Sequence, residues 1–176
     1  MEQTTTNLVE NCRKGKRSAQ LALYERYARK LFVACLRIVG NASDAEEAMQ
    51  DSFLKIFTRI DQYDGGQNFE AWIHRIAVHT AIDYVRRQNQ VWEELSENYP
   101  EPENDEPDEE KIQYTIEQIK AATAKLPPGY RVVLSLYLFE GYDMEEIASI
   151  LNIQPPSVRT QYLRAKRKLL EIVKNN

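Results

Sequence analysis

Between Glu93 and Glu110 the chain carries ten carboxylates, no lysine or arginine, and prolines at 100, 102 and 107. Like charges repel, proline cannot continue a helix, and almost no apolar residue follows Leu95, so little there can be buried to offset the entropy of ordering. The stretch reads as a linker over 93–110 between two small domains, 1–92 and 111–176. Fully extended it would reach about 60 Å, enough to set two modules well apart on a large partner. It also accounts for the acidic balance of a 176-residue chain with a formal charge of -4. Residues 1–92 hold 13 Lys and Arg against 11 Asp and Glu, and residues 111–176 hold 10 against 6. Both flanks are basic, so the acidic sum does not exclude a nucleic-acid partner.

Apolar spacing in both flanks is helical. Leu21, Tyr24, Ala28, Leu31, Cys35 and Ile38 fall three or four apart and form one stripe, which Gly40 would end. Ser43 with Glu46 forms a capping-box pattern that would open a second helix, striped by Ala45, Met49, Phe53, Ile56 and Ile60. The turn Asp64-Gly65-Gly66 follows, and Asn68 would cap a third helix running to about Arg87. A short leading helix is expected over Asn7–Arg13. Beyond the linker the pattern predicts helices from about Glu110 to Ala124, from Pro128 to about Phe139, from Met144 to Leu151 behind an Asp143/Glu146 capping box, and from Pro155 to about Val173. No β-branched run of period two appears, so the expected class is all-α.

Several functions are excluded or disfavoured. No apolar run approaches the ~18 residues a membrane span needs, and the N-terminal residues lack the basic and apolar segments of a secretory signal, so the expected location is cytoplasmic, without membrane insertion. Cys12 and Cys35 match no zinc or redox spacing. His74 and His79 are five apart and do not share a helix face. His79 and Asp83 are four apart but lack a third ligand. No nucleotide loop, GxSxG or HExxH occurs, so no catalytic residue, metal or cofactor is expected.

Three segments carry binding chemistry. In the segment from Glu145 to Arg167, Ile147, Ala148, Leu151, Ile153 and Val158 would close the angle of a helix-turn-helix. The second helix of this motif leads into six Lys and Arg from Arg159 onward against one Glu, a charge suited to phosphate and guanine contacts. The third N-terminal helix mixes Phe69, Trp72, His74, Arg75, His79, Tyr84, Arg86 and Arg87. That mixture would serve single-stranded bases by stacking, or simply supply core aromatics and a solvated basic face. The polar, Gly-rich loop 61–67 before it would receive a flipped base or merely turn a corner. The second helix opens with Asp44, Glu46, Glu47, Gln50 and Asp51. The helix dipole explains some of these acids, but not Gln50 and Asp51 beside Leu54, a mixed patch able to dock on a basic partner helix.

These segments, in this order, resemble the sigma factors of bacterial RNA polymerase, in their small extracytoplasmic-function (ECF) group within the sigma-70 family. Leu23-Tyr24-Glu25-Arg26-Tyr27 resembles the start of region two, Asp44 to Leu54 its polymerase-binding helix, and Phe69 to Ala77 with Asp83, Arg86 and Arg87 its promoter-melting segment. Leu126-Pro127 and Val158 through Lys166 resemble region four. The resemblance implies core polymerase, promoter DNA and an anti-sigma factor as partners. It assigns Asp44, Glu47, Gln50, Asp51 and Leu54 to core polymerase. It assigns Tyr63, Asp64, Trp72, Arg75 and His79 to the minus-ten element. Ser157, Arg159, Thr160, Leu163 and Arg164 would read the minus-thirty-five element, with Lys166 and Arg167 on phosphates. His79 stands where the family usually has Asn, and Gln154 where it usually has a capping Ser or Thr. Besides an adaptor that would use its helices only for protein contacts and waste the basic helix, the alternative is a helix-turn-helix regulator acting without sigma activity. It would need a phosphoacceptor α/β domain that the helical N-terminal half does not offer.

Overall fold

The computed structural model describes residues 4–66, 68–88 and 114–175, and the expected linker at 93–110 lies outside them. Among the described residues there are eight α-helices and no strand. The described backbone divides into two compact units, one within 4–36 and 41–84, the other comprising 37–40, 85–88 and 114–175.

The N-terminal unit is built on α1 (Thr5–Arg13), most of α2 (Arg17–Val39), α3 (Ala42–Thr58) and most of α4 (Phe69–Gln88), with a 3-10 turn at Ile60–Gln62. On α2 the buried stripe is Leu23, Tyr27, Leu31, Ala34, Cys35 and Ile38. Leu21, expected on that stripe, is 59% exposed, and Tyr24 is 36% exposed. At about 100° per residue, Leu21 sits roughly 200° from Leu23, on the opposite face of the helix. Gly40 follows α2 at φ 87, in the left-handed region where a glycine ends a helix without strain.

The cap of α3 lies two residues before the predicted Ser43. Asn41 is in extended backbone, and its side-chain oxygen accepts from Asp44 N at 2.9 Å, which places Ser43 inside the first turn. Its inner face is Ala45, Ala48, Met49, Phe53 and Ile56. Tyr24 joins α2 to α3 by packing on Phe53, with ring centroids 4.6 Å apart. Tyr27 joins α2 to α4 through Phe69 at 5.9 Å. Small residues Ala77 and Ala81 are fully buried on α4, so the helices around it can approach closely. Asn68 caps α4 as expected, accepting from Glu70 N at 2.9 Å.

The C-terminal unit holds α5 (Ile116–Ala124), α6 (Pro128–Leu138), α7 (Met144–Leu151) and α8 (Pro155–Lys174). Helix α5 begins at Ile116, later than expected, because Thr115 and Gln118 close a capping box there. The core joins Ala122 and Leu126, Leu134 of α6, and Ala165, Leu169 and Val173 of α8. Asp143 caps α7 and Glu146 returns the bond to Asp143 N at 2.9 Å, as predicted. The turn into α8 is made by Asn152 at φ 55 and ψ 45, a conformation that Asn tolerates better than most side chains. Ile147, Ala148, Leu151 and Val158 are buried around that turn, which gives the helix-turn-helix its angle.

Candidate functional site

The first face lies on α3. Positions 44, 47, 51 and 54 repeat at three and four residues, so Asp44, Glu47, Asp51 and Leu54 share one side of the helix, flanked by Gln50. Glu47 and Gln50 are exposed, Asp44 and Asp51 half-buried, and Leu54 is 65% exposed, an apolar side chain held out in a polar patch. The Tyr84 hydroxyl of α4 lies 3.1 Å from Asp44 Oδ1 and 3.0 Å from Glu47 Oε2 and donates towards both. Asn41 Nδ2 donates to the other Asp44 oxygen at 2.7 Å. Burial and the hydrogen bonds to Glu47 and Asp44 push the Tyr84 phenol up to about 12. Lower on the same pair of helices, Lys55 of α3 donates to Thr80 Oγ1 of α4 at 3.1 Å.

The second face is aromatic. Tyr63 packs edge-on against Phe69 at 5.1 Å and beside Trp72 at 5.6 Å, so the loop and α4 meet in one ring cluster. Phe69 is buried and forms its floor, whereas Tyr63 and Trp72 are half-buried at its surface. Trp72, Arg75 and His79 follow at i, i+3 and i+7, and the last two are exposed. Asp64 turns the loop, its Oδ1 accepting from Gly66 N at 2.9 Å. The Arg13 guanidinium of α1 donates to Ile60 O at 3.4 Å and to Tyr63 O, gripping the loop from behind.

The third face belongs to α8. Arg159, Leu163 and Arg167 are exposed and four residues apart, and Arg164 and Lys166 are half-buried on either side of that row. Ser157 and Thr160 are buried, with Thr160 Oγ1 donating to Pro156 O at 3.1 Å. No side chain caps α8, which opens on two prolines after Gln154. Two residues with a part in these faces escape sequence patterning. Tyr84 stands in the aromatic and basic series of the third helix, yet it is buried and turned to α3. Arg13 reaches a loop some fifty positions away, a pairing for which periodicity gives no signal.

No group of three or more His, Cys, Asp or Glu is arranged to hold a metal ion among the described residues, and none of their helices is long and apolar enough to cross a membrane.

Two family models match in chain order: Sigma-70 region 2 over residues 23–91 and Sigma-70 region 4 over residues 116–169. Together they cover more than half of the chain. The ECF RNA polymerase sigma-E factor of Haemophilus influenzae is 30% identical over 94% of this chain and 93% of its own length. The chain belongs to the sigma-70 family, among its ECF sigma factors. The ECF sigma factor SigW of Bacillus subtilis is 27% identical over 96% of each chain. The ECF sigma factor SigE of Mycolicibacterium smegmatis is 31% identical over 84% of this chain, which spans 58% of that relative's length. The fold is also similar to that of two solved structures. One is the sigma factor RpoE of Bartonella quintana, in complex with the anti-sigma factor NepR, at TM-score 0.55, 19% identity and coverage of 86% of this chain and 94% of the other. The other is CnrH, in complex with the cytosolic domain of CnrY, at TM-score 0.52, 22% identity and 96% coverage of both. In this sigma factor the first two faces fall inside the region 2 match and the third inside the region 4 match, whereas α1 with Arg13 precedes both.

Proposed function

We propose that this sigma factor carries core RNA polymerase to selected promoters in the cytoplasm and opens them there, without covalent chemistry of its own. The observation that carries the reading is the separation of three chemistries onto three faces in family order. An acidic-polar helix with a protruding leucine, formed by Asp44, Glu47, Gln50, Asp51 and Leu54, suits a basic helical partner on core polymerase. Tyr63, Asp64, Trp72, Arg75 and His79 offer half-buried rings beside exposed cations, the combination that stacks and tracks an unpaired minus-ten strand. Arg159, Leu163 and Arg164 line the upstream-reading helix with Lys166 and Arg167 near phosphates, while Ser157 and Thr160 support its first turn. An anti-sigma factor is the proposed regulator, as the two solved relatives are each complexed with a second protein. Run-off transcription with core polymerase on genomic promoters tests the reading: start sites dependent on the added chain are expected. Tight, sequence-specific promoter binding by the free protein, with no such transcripts, would establish an ordinary helix-turn-helix regulator instead.

A further inference from the structure

We infer that Tyr84 is a positioning residue of the docking face: its hydroxyl, within hydrogen-bond distance of both Asp44 and Glu47, holds these two carboxylates in the arrangement with which α3 meets core polymerase. The inference rests on the docking role proposed for α3. Asp44 and Glu47 are three apart on one helix and therefore neighbours, and like charges at that spacing repel. A phenol has one proton, and both distances, 3.1 Å and 3.0 Å, allow that proton to be shared between the two acceptors. Sharing draws the carboxylates together where repulsion would part them.

The two acids do not depend on Tyr84 equally. Asp44 has a second grip, from Asn41 Nδ2 at 2.7 Å, and sits half-buried at the start of α3. Glu47 is exposed, has a longer and more freely rotating side chain, and takes its bond from Tyr84. Tyr84 is anchored from the other side, since the residue is only 9% exposed. A rigid ring thus presents a fixed donor to a mobile acceptor, and Glu47 reaches a partner with its rotamer already chosen. Ordering a long side chain before contact removes a cost that would otherwise fall on binding. The raised phenol follows from the same arrangement, because a proton shared by two carboxylates leaves with difficulty.

The test is a double-mutant cycle on core-polymerase affinity with full-length protein, comparing Tyr84→Phe, Glu47→Ala and the double variant. Phe keeps the buried ring and removes only the donor. The expected result is an affinity loss of about three- to tenfold for Tyr84→Phe, on the scale of ordering one long side chain. A larger loss is expected for Glu47→Ala, and almost no further loss from Tyr84→Phe once Glu47 is Ala. Thermal melting of each variant separates positioning from folding. If Glu47→Ala and Asp44→Asn both leave affinity unchanged, the docking role of α3 fails and the inference with it. If Glu47→Ala weakens binding but Tyr84→Phe does not, docking stands and the positioning role is overturned. Equal losses from Tyr84→Phe with and without Glu47 would also overturn it, since the hydroxyl would then act through the stability of the unit.

Discussion

A single oxygen distinguishes Tyr84 from a phenylalanine, and its titration gives that atom a signature of its own. The folded phenol is raised from 10.0 to about 12, so the folded state holds this proton more tightly than the unfolded chain does. Its contribution to stability is therefore complete below pH 10 and is lost as pH rises from about 10 to about 12. Unfolding midpoints measured across that alkaline range should converge for wild type and Tyr84→Phe, having differed at neutral pH. A second prediction concerns base reading. Arg159→Ala or Arg164→Ala should cost on the order of 1 to 3 kcal/mol and relax preference at one upstream position, whereas Lys166→Ala should weaken all sequences alike. Selection from randomised upstream DNA with holoenzyme distinguishes the two, and identical preferences in wild type and the arginine variants would remove the assigned role. At this scale the sequence was readable where residues share a helical stripe, as Trp72, Arg75 and His79 do on α4. It was silent on Tyr84, because the direction of one ring depends on the register between α3 and α4, which neither helix encodes alone.

Helices were readable to within a turn wherever caps and stripes agreed, as at Asp143 with Glu146 and at Asn68. Where two polar residues competed for a cap, pattern alone misled: Asn41 took the position that Ser43 with Glu46 suggested, because its side chain reaches Asp44 N from extended backbone. Leu21 shows a different limit, since it extends a plausible three-and-four series whose later members Leu31, Cys35 and Ile38 are buried, yet it is itself 59% exposed. Helix α1 lies ahead of the region 2 match, yet Leu8, Val9 and Cys12 are buried and Arg13 holds the carbonyls of Ile60 and Tyr63. Arg13→Ala should therefore raise amide hydrogen exchange in the segment 60–66 while leaving the middle of α3 protected. Unchanged exchange in that segment would mean that the ring cluster of Tyr63, Phe69 and Trp72 holds the loop by itself.

On the scale of the whole molecule, charge is distributed in blocks, with ten acids between two basic flanks. If that block acts as a polyanion in a basic channel of the polymerase, exchanging its acids for Gln and Asn at constant length should weaken holoenzyme assembly, with an effect that shrinks as salt rises. If it is only a tether, shortening will matter and neutralisation will not. Core affinity of both variants at low salt decides between them. The proline pair that opens α8 bears on the same ionic balance. A helix N-terminus ordinarily offers its free amides to a phosphate. Pro155 and Pro156 have none to offer, and the amides of Ser157 and Val158 are both turned back to Gln154 O, at 2.9 and 3.3 Å. If α8 meets the upstream duplex as proposed, its grip there is left to side chains, and counterion release counts the charged ones. The slope of log affinity against log salt should fall by about 0.9 for each phosphate-contacting lysine or arginine removed from α8.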